Sequence, residues 1–280
     1  MTDTSTTLVI GATGNVGRHV VAGLLARGTA VRALTRDPHG AALPPGVEVV
    51  AGDATDPGSL TAAATGVDRV FLLWPFLHAD GAGRAVDALA THARHIVHLS
   101  AMNVRDDRTP AENGVWGQVE AEIRRTGVDA TFLRAGGFAT NTLAWAPAVR
   151  AGDPVRLPYP EASRSLIHEQ DIADVAVLAL TEEGHAGAAH VLTGPASLTQ
   201  AEQVRVLGTV AGRPTRVQEL THAQAHAEMG GSDFAAGALA YWATLVETPE
   251  PVTRTVEEVT GKQARTFEQW AHDHVADFRP

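Results

Sequence analysis

An α/β fold of Rossmann type, a doubly wound parallel sheet with a smaller C-terminal substrate-binding region, is what three features of this 280-residue sequence predict. Short apolar or β-branched runs alternate with Ala/Leu-rich segments of helical period, the pattern of successive βα units. The first of these runs passes directly into a turn with glycines three apart and then into a helix. The alternation holds as far as Arg134, after which Pro147, Pro154, Pro158 and Pro160 break the rhythm.

Taken in order, the spacing predicts strands over 7–10, 30–34, 47–50, 69–73, 96–99 and 130–133, with helices over 16–27, 59–65, 84–91 and 117–125 between them. Gly28, Gly66 and Gly127 follow three of those helices as C-terminal stops, positions where a left-handed backbone costs glycine nothing. Residues 1–134 are thus assigned to a dinucleotide-binding core. Residues 135–280 are assigned mainly to the substrate region, with segments expected to return to the core. In that second part, helices are expected over 171–180, with Asp171 as its cap, 199–211, 221–229 and 234–245, and a strand over 190–192. Thr199 and Glu202 have the spacing of a capping box.

Composition excludes several functions. An apolar fraction of 44% with 19% charged residues belongs to a folded globule, and a net charge of −10 argues against a nucleic-acid partner. The absence of cysteine removes disulfides, thiolate nucleophiles and zinc–thiolate sites. Without a basic leader or a run of about 18 apolar residues, the reading is a cytoplasmic protein with no membrane partner, and a homodimer is the candidate assembly. Thirteen histidines raise the question of a metal. His92, His95 and His98 straddle a helix end and a strand, and His222 and His226 lack a third ligand, so no metal site is expected.

The segment Thr7-Leu-Val-Ile-Gly11-Ala-Thr-Gly14-Asn-Val-Gly17 carries the strongest chemical signal. Glycine removes the Cβ where backbone amides must touch a pyrophosphate, and a helix N-terminus adds unpaired N–H groups and a positive dipole end. The second strand should end beside the adenosine ribose, where an NAD site places a carboxylate; here Thr35 and Arg36 stand there. A guanidinium suits a 2′-phosphate, which favours NADPH; the alternative is that Arg36 is solvated and Asp37 serves the ribose. Asp53 ends the third strand, where it accepts from adenine or caps the next turn. Trp74 and Pro75 close the fourth, and Ser100 and Asn103 follow the fifth, at the carboxyl ends where open parallel sheets bind ligands.

Together GATGNVGR, VRALTRDP, AGDATD, HIVHLSAMN, GVDATFLRAGGFATN and IHEQDIADVAVLAL resemble the NmrA-like group of atypical short-chain dehydrogenases/reductases over nearly the whole chain. That group includes NAD(P)H-dependent quinone and ketone reductases, isoflavone-type reductases and a regulator that binds the dinucleotide without turnover. The resemblance implies that Gly11, Thr13, Gly14, Asn15 and Val16 line the pyrophosphate, Arg36 the 2′-phosphate, and Asp53 and Ala54 the adenine. It further implies Leu73, Trp74 and Pro75 along the ribose, Ser100 and Ala101 near the nicotinamide ribose, and Ala135, Gly136, Gly137 and Phe138 beside the nicotinamide.

The Tyr-x-x-x-Lys pair of typical short-chain dehydrogenases is absent: Ser163 follows Tyr159 by four, Leu245 follows Tyr241 by four, and Lys262 is the only lysine. Hydride transfer needs mainly a positioned electrophile, and a quinone or hydrogen-bonded aryl ketone stabilises its own developing charge. The expectation is therefore an NADPH-dependent reductase of a small aromatic or quinonoid substrate, with Ser100, Asn103, Asn141 and His168 as candidate carbonyl polarisers. His168 reads equally as a structural histidine, and the aromatics Trp74, Trp116, Phe138, Trp145 and Trp242 as pocket walls or core. An NADP(H)-sensing regulator and a dinucleotide-dependent isomerase or dehydratase are the competing readings.

Overall fold

The computed structural model describes residues 6–279; residues 1–5, on which the reading of the N-terminal segment falls, and Pro280 lie outside it. The chain forms two compact units, one of Met1–Ala135, Glu169–Leu192 and Glu258–Gly261, the other of Gly136–His168, Thr193–Glu257 and Lys262–Pro280.

The first unit holds β1 (Thr6–Ile10), α1 (Gly17–Ala26), β2 (Ala30–Thr35), β3 (Glu48–Ala51), α2 (Pro57–Ala64), β4 (Val67–Leu73), α3 (Ala82–Ala90), β5 (His95–Ala101), α4 (Gly114–Thr126), β6 (Asp129–Ala135), α5 (Glu169–Thr181) and β7 (Ala189–Leu192). The strands form one seven-stranded sheet in the order β3-β2-β1-β4-β5-β6-β7, every neighbouring pair parallel. This is the doubly wound fold that the alternation predicts, with strand order reversing between β1 and β4. Leu8, Val9 and Ile10 are all buried, as a strand covered on both faces requires, and each such side chain contributes about 1.5–3 kcal/mol on leaving water. Gly28 adopts φ +75° just past α1, and its N–H donates to the Leu25 carbonyl.

Two local readings are settled, and a third residue, Arg32, takes a role of its own. Arg32 is structural: Nε donates to Glu48 Oε2 at 2.8 Å and Nη1 to the carbonyls of Ala63 and Thr65, pinning β2 to the end of α2. Asp53 caps the turn that follows β3, its Oδ1 accepting from the Thr55 amide, while Asp56 caps α2 by accepting from the amides of Gly58 and Ser59. The expectation that Asp171 caps its helix is corrected, because α5 begins at Glu169 and places Asp171, buried, inside the first turn.

In the second unit a 3₁₀ helix, Ala139–Trp145, runs into the α-helix Ala146–Ala151, a feature the proline-broken sequence conceals. Two small ladders follow, Val155–Leu157 parallel to Val217–Glu219 and Ser163–Arg164 antiparallel to Leu198–Thr199. Helices Gln200–Ala211, His222–Glu228, Asp233–Thr244 and Phe267–Asp273 complete its main elements. The Thr199–Glu202 capping box is present in both directions, at 3.1 and 2.9 Å. Val149, Leu157, Leu207, Phe267, Trp270 and Phe278 make the core of this unit. Among the described residues no helix is long and apolar enough to cross a membrane.

Candidate dinucleotide site and its neighbours

At the end of β1, Gly11 turns with φ +85°, and a Cβ there would lie 3.2 Å from Leu73 Cβ at the end of β4. Gly17 lets α1 seat on this turn, since a Cβ would collide with the Gly11 carbonyl. Gly14 differs: its N–H donates to that carbonyl at 3.0 Å, and a Cβ would meet only the carbonyl oxygen, at 3.2 Å. The space beyond Gly14 is therefore not needed by the fold. The amides of Thr13, Asn15 and Val16 make no hydrogen bond among the described residues. Helix α1 has no side-chain cap and no acidic residue in its first turn. Free amides, a positive dipole end and room for close approach are the features that fit a pyrophosphate.

Arg36 lies exposed just past β2. Asp37 is engaged locally: its carboxylate accepts from the Gly40 amide at 3.0 Å and its own N–H donates to Thr35 Oγ1. Asp53 Oδ1 accepts from Thr55 N and Oγ1, both at 2.8 Å. Those bonds, and then the charge of Arg36, hold the Asp53 carboxyl below the usual carboxylate range. Ala54 is half-buried against the core. Leu73 is half-buried and Pro75 exposed. Trp74 is buried, donating Nε1–H to the His78 carbonyl at 2.8 Å and meeting Phe76 edge-on.

The end of β5 carries a network that residue-by-residue reading missed. Ser100 donates its hydroxyl to Glu120 at 2.6 Å, and Glu120, fully buried on α4, accepts from Arg134 Nε and Nη2 at 3.1 and 2.9 Å. Arg134 also grips Asp106 at 2.6 and 3.2 Å, while Arg124 approaches both carboxylates and covers the Phe132 ring. The Arg134 bond holds the Asp106 carboxyl below its ordinary pKa, and Glu120 first, with Asp106, raises that of Arg134. Glu120 and Arg124 stand four apart on a helix, the one sign in the sequence; Arg134 and Asp106 join only through the fold. Ala101 is half-buried and Asn103 exposed beyond the strand.

In the second unit Gly136 is buried and Gly137 and Phe138 half-buried; Phe138 bridges to Ile167, whose N–H donates to Gly137 O at 2.9 Å. Asn141 is exposed in the 3₁₀ turn. His168 is buried, with Nε2 3.3 Å from Asp273 Oδ2. Tyr159 has φ +50°, the one left-handed non-glycine among the described residues, and its hydroxyl lies 2.8 Å from His222 Nδ1. Tyr241 donates to Glu250 at 2.8 Å, and burial, then Glu250, pushes its pKa up, which makes it a poor acid. Among the described residues no group of three or more His, Asp or Glu is arranged to hold a metal ion.

Comparison with known proteins agrees with this geometry. The family model described as NAD(P)H-binding matches residues 11–183. The chain is 38% identical to a (4-alkanoyl-5-oxo-2,5-dihydrofuran-3-yl)methyl phosphate reductase of Streptomyces griseus, over 98% of this chain and 99% of the relative. It is 36% identical to an NAD(P)H azoreductase of Xenophilus azovorans, over 97% and 98% respectively. The crystal structure of an NADPH-dependent quinone oxidoreductase from Escherichia coli superposes with a TM-score of 0.77 at 23% identity, covering 96% of this chain and 99% of that one.

Proposed function

The chain belongs to the NAD(P)H-binding family, in the NmrA-like group of atypical short-chain dehydrogenases/reductases, and is an NAD(P)H-dependent reductase; on that premise we propose that it uses NADPH to reduce a quinone-like compound or an aromatic ketone of polyketide type. When bound, the reduced nicotinamide supplies the hydride. The chain's own residues bind and orient. Gly11 and Gly14 open the approach, the amides of Thr13, Asn15 and Val16 hold the pyrophosphate, Arg36 takes the 2′-phosphate, and Asp53 and Ala54 face the adenine. Leu73, Trp74 and Pro75 border one ribose, Ser100 and Ala101 the other, and Ala135, Gly136, Gly137 and Phe138 the nicotinamide.

The observation that carries this reading is the loop of unbonded amides on an uncapped helix, with a guanidinium instead of a carboxylate ending β2. Neither tyrosine has a lysine partner, so the substrate must stabilise most of its own negative charge, as quinones and hydrogen-bonded aryl ketones do. The relatives are named for a dihydrofuranone and for azo compounds, which are also conjugated, electron-poor acceptors. Of the four side chains proposed to assist, Ser100 commits its hydroxyl proton to Glu120, leaving the amides of Asn103 and Asn141 and the imidazole of His168, which lies against Asp273. Steady NADPH oxidation with a panel of quinones tests the proposal; tight NADPH binding without oxidation by any of them would make the protein a sensor instead.

A further inference from the structure

Arg164 stands out among the charged side chains of the second unit. Its guanidinium makes no hydrogen bond and no ion pair among the described residues, and its Nε is buried without a partner. It lies 5.3 Å over the Trp242 ring and packs so closely on Gly137 that a Cβ there would collide with Nη2 and Cζ. Glu250, whose charge acts on it, is buried but spends its oxygens elsewhere, accepting from Ser165 N, Ser165 Oγ and Tyr241 Oη. Glu250 thus offsets part of the charge and uses none of the donors. Burial correspondingly lowers the Arg164 pKa more than Glu250 raises it.

A half-buried guanidinium whose Nε is shut away from water with no acceptor is costly in an isolated fold. Its planar fork fits one partner best, an oxyanion that accepts two parallel N–H bonds. Arg164 also lines a cavity of ≈ 250 Å³ whose other walls include Leu166, Leu198, Val206 and Phe267, with Glu268 exposed at its edge. Arg164 supplies a fork for an anion, Leu166, Leu198, Val206 and Phe267 an apolar surface, and Gln203 and Thr266 a polar margin.

We propose that this cavity is the substrate's anion pocket: Arg164 holds a phosphate, sulfonate or carboxylate carried by the molecule to be reduced, whose apolar body lies along Leu166, Leu198, Val206 and Phe267. The inference rests on the reductase reading above and specifies the substrate as an acidic conjugated acceptor. Trp242 stacks on the guanidinium and fixes its plane, Gly137 allows it to sit close to the backbone, and Glu268 disfavours bare anions at the cavity edge.

Two measurements test it. Calorimetry with phenyl phosphate, phenol and inorganic phosphate asks what the intact protein holds: phenyl phosphate should bind at least about tenfold more tightly than either of the others, and Arg164→Gln should abolish the difference. Equal binding of phenyl phosphate and phenol overturns the anion pocket. Inorganic phosphate binding as tightly as phenyl phosphate reduces it to a bare-ion site and overturns the substrate assignment. NADPH oxidation with 1,4-naphthoquinone and its 2-sulfonate then gives the ratio of kcat/KM for the sulfonate over that for the neutral quinone, which Arg164→Gln should lower at least about tenfold and Arg164→Lys less. An unchanged ratio overturns the proposal. The parent's calorimetry decides if Arg164→Gln fails to fold. Arg164-dependent phenyl phosphate binding with no quinone reduced would sink the reductase substrate and keep the pocket, whereas turnover of neutral quinone without phenyl phosphate binding would do the reverse.

Discussion

Arg36 is an exposed side chain on which cofactor choice is proposed to turn. Arg36→Asp should erase or reverse a preference for NADPH over NADH, since a charge-assisted contact is worth roughly 1.5–3 kcal/mol, and equal affinities of the parent protein by calorimetry would refute the assignment. Gly14→Val should abolish NADPH binding while leaving the far-ultraviolet dichroism intact, because the space it fills is not used by the fold. Normal affinity in that variant would show that the loop is not the phosphate cradle. Tyr159→Phe and Tyr241→Phe should each keep kcat within about tenfold, less than the 10²–10⁴ that a positioned general acid supplies. Tyr159, left-handed and bonded to His222, is the sharper test; a thousandfold loss there would make that pair the acid. The glycines were legible in the sequence because their spacing is itself the signal. Glu120 and Arg164 were not, because each acquires its meaning from partners distant along the chain, Arg134 and Asp106 for one, Gly137 and Trp242 for the other.

Strands buried on both faces announce themselves as continuous apolar runs, and for that reason β1, β4, β5 and β6 are placed by the sequence to within a few residues at each end, while β2 and the edge strand β3 are marked by their β-branched residues. The ladders Ser163–Arg164 and Leu198–Thr199 are two residues long, too short for any periodicity, and the 3₁₀ segment Ala139–Trp145 lacks the 3.6-residue repeat. Within β5, His98 is a pH-sensitive element. The Leu72 carbonyl can only accept, so His98 Nδ1 carries the proton, while Nε2 has no partner among the described residues and burial pushes the pKa down to about 4. The unfolded chain binds a proton as the pH falls below 6.5 while the folded one stays neutral until about 4, so stability declines across that window and levels off below it. The loss attributable to this residue is about 3 kcal/mol. His98→Leu should flatten the slope of unfolding free energy over that pH range; a slope equal to the parent's would place the titration elsewhere.

For the molecule as a whole, NADPH that binds only the folded chain should add about 2.7 kcal/mol to its unfolding free energy at a hundred times Kd. Thermal unfolding with and without NADPH reads this directly, and an unmoved Tm would rule out binding at that concentration. The first unit is drawn from separated stretches of chain: α5 and β7 belong to it, yet both come after a long excursion through the second unit. Gly23 of α1 packs against Val177 of α5, Arg69 donates to the Leu180 carbonyl, and β7 covers the open side of β6. During synthesis, then, the N-terminal stretch leaves the ribosome with an exposed, unpaired strand and a bare apolar helix face, and it must wait for residue 192 to emerge. A fragment ending at Ala135 should for that reason self-associate in light scattering, its β6 edge pairing with copies of itself, while the full chain, in which β7 pairs with that edge, should do so less.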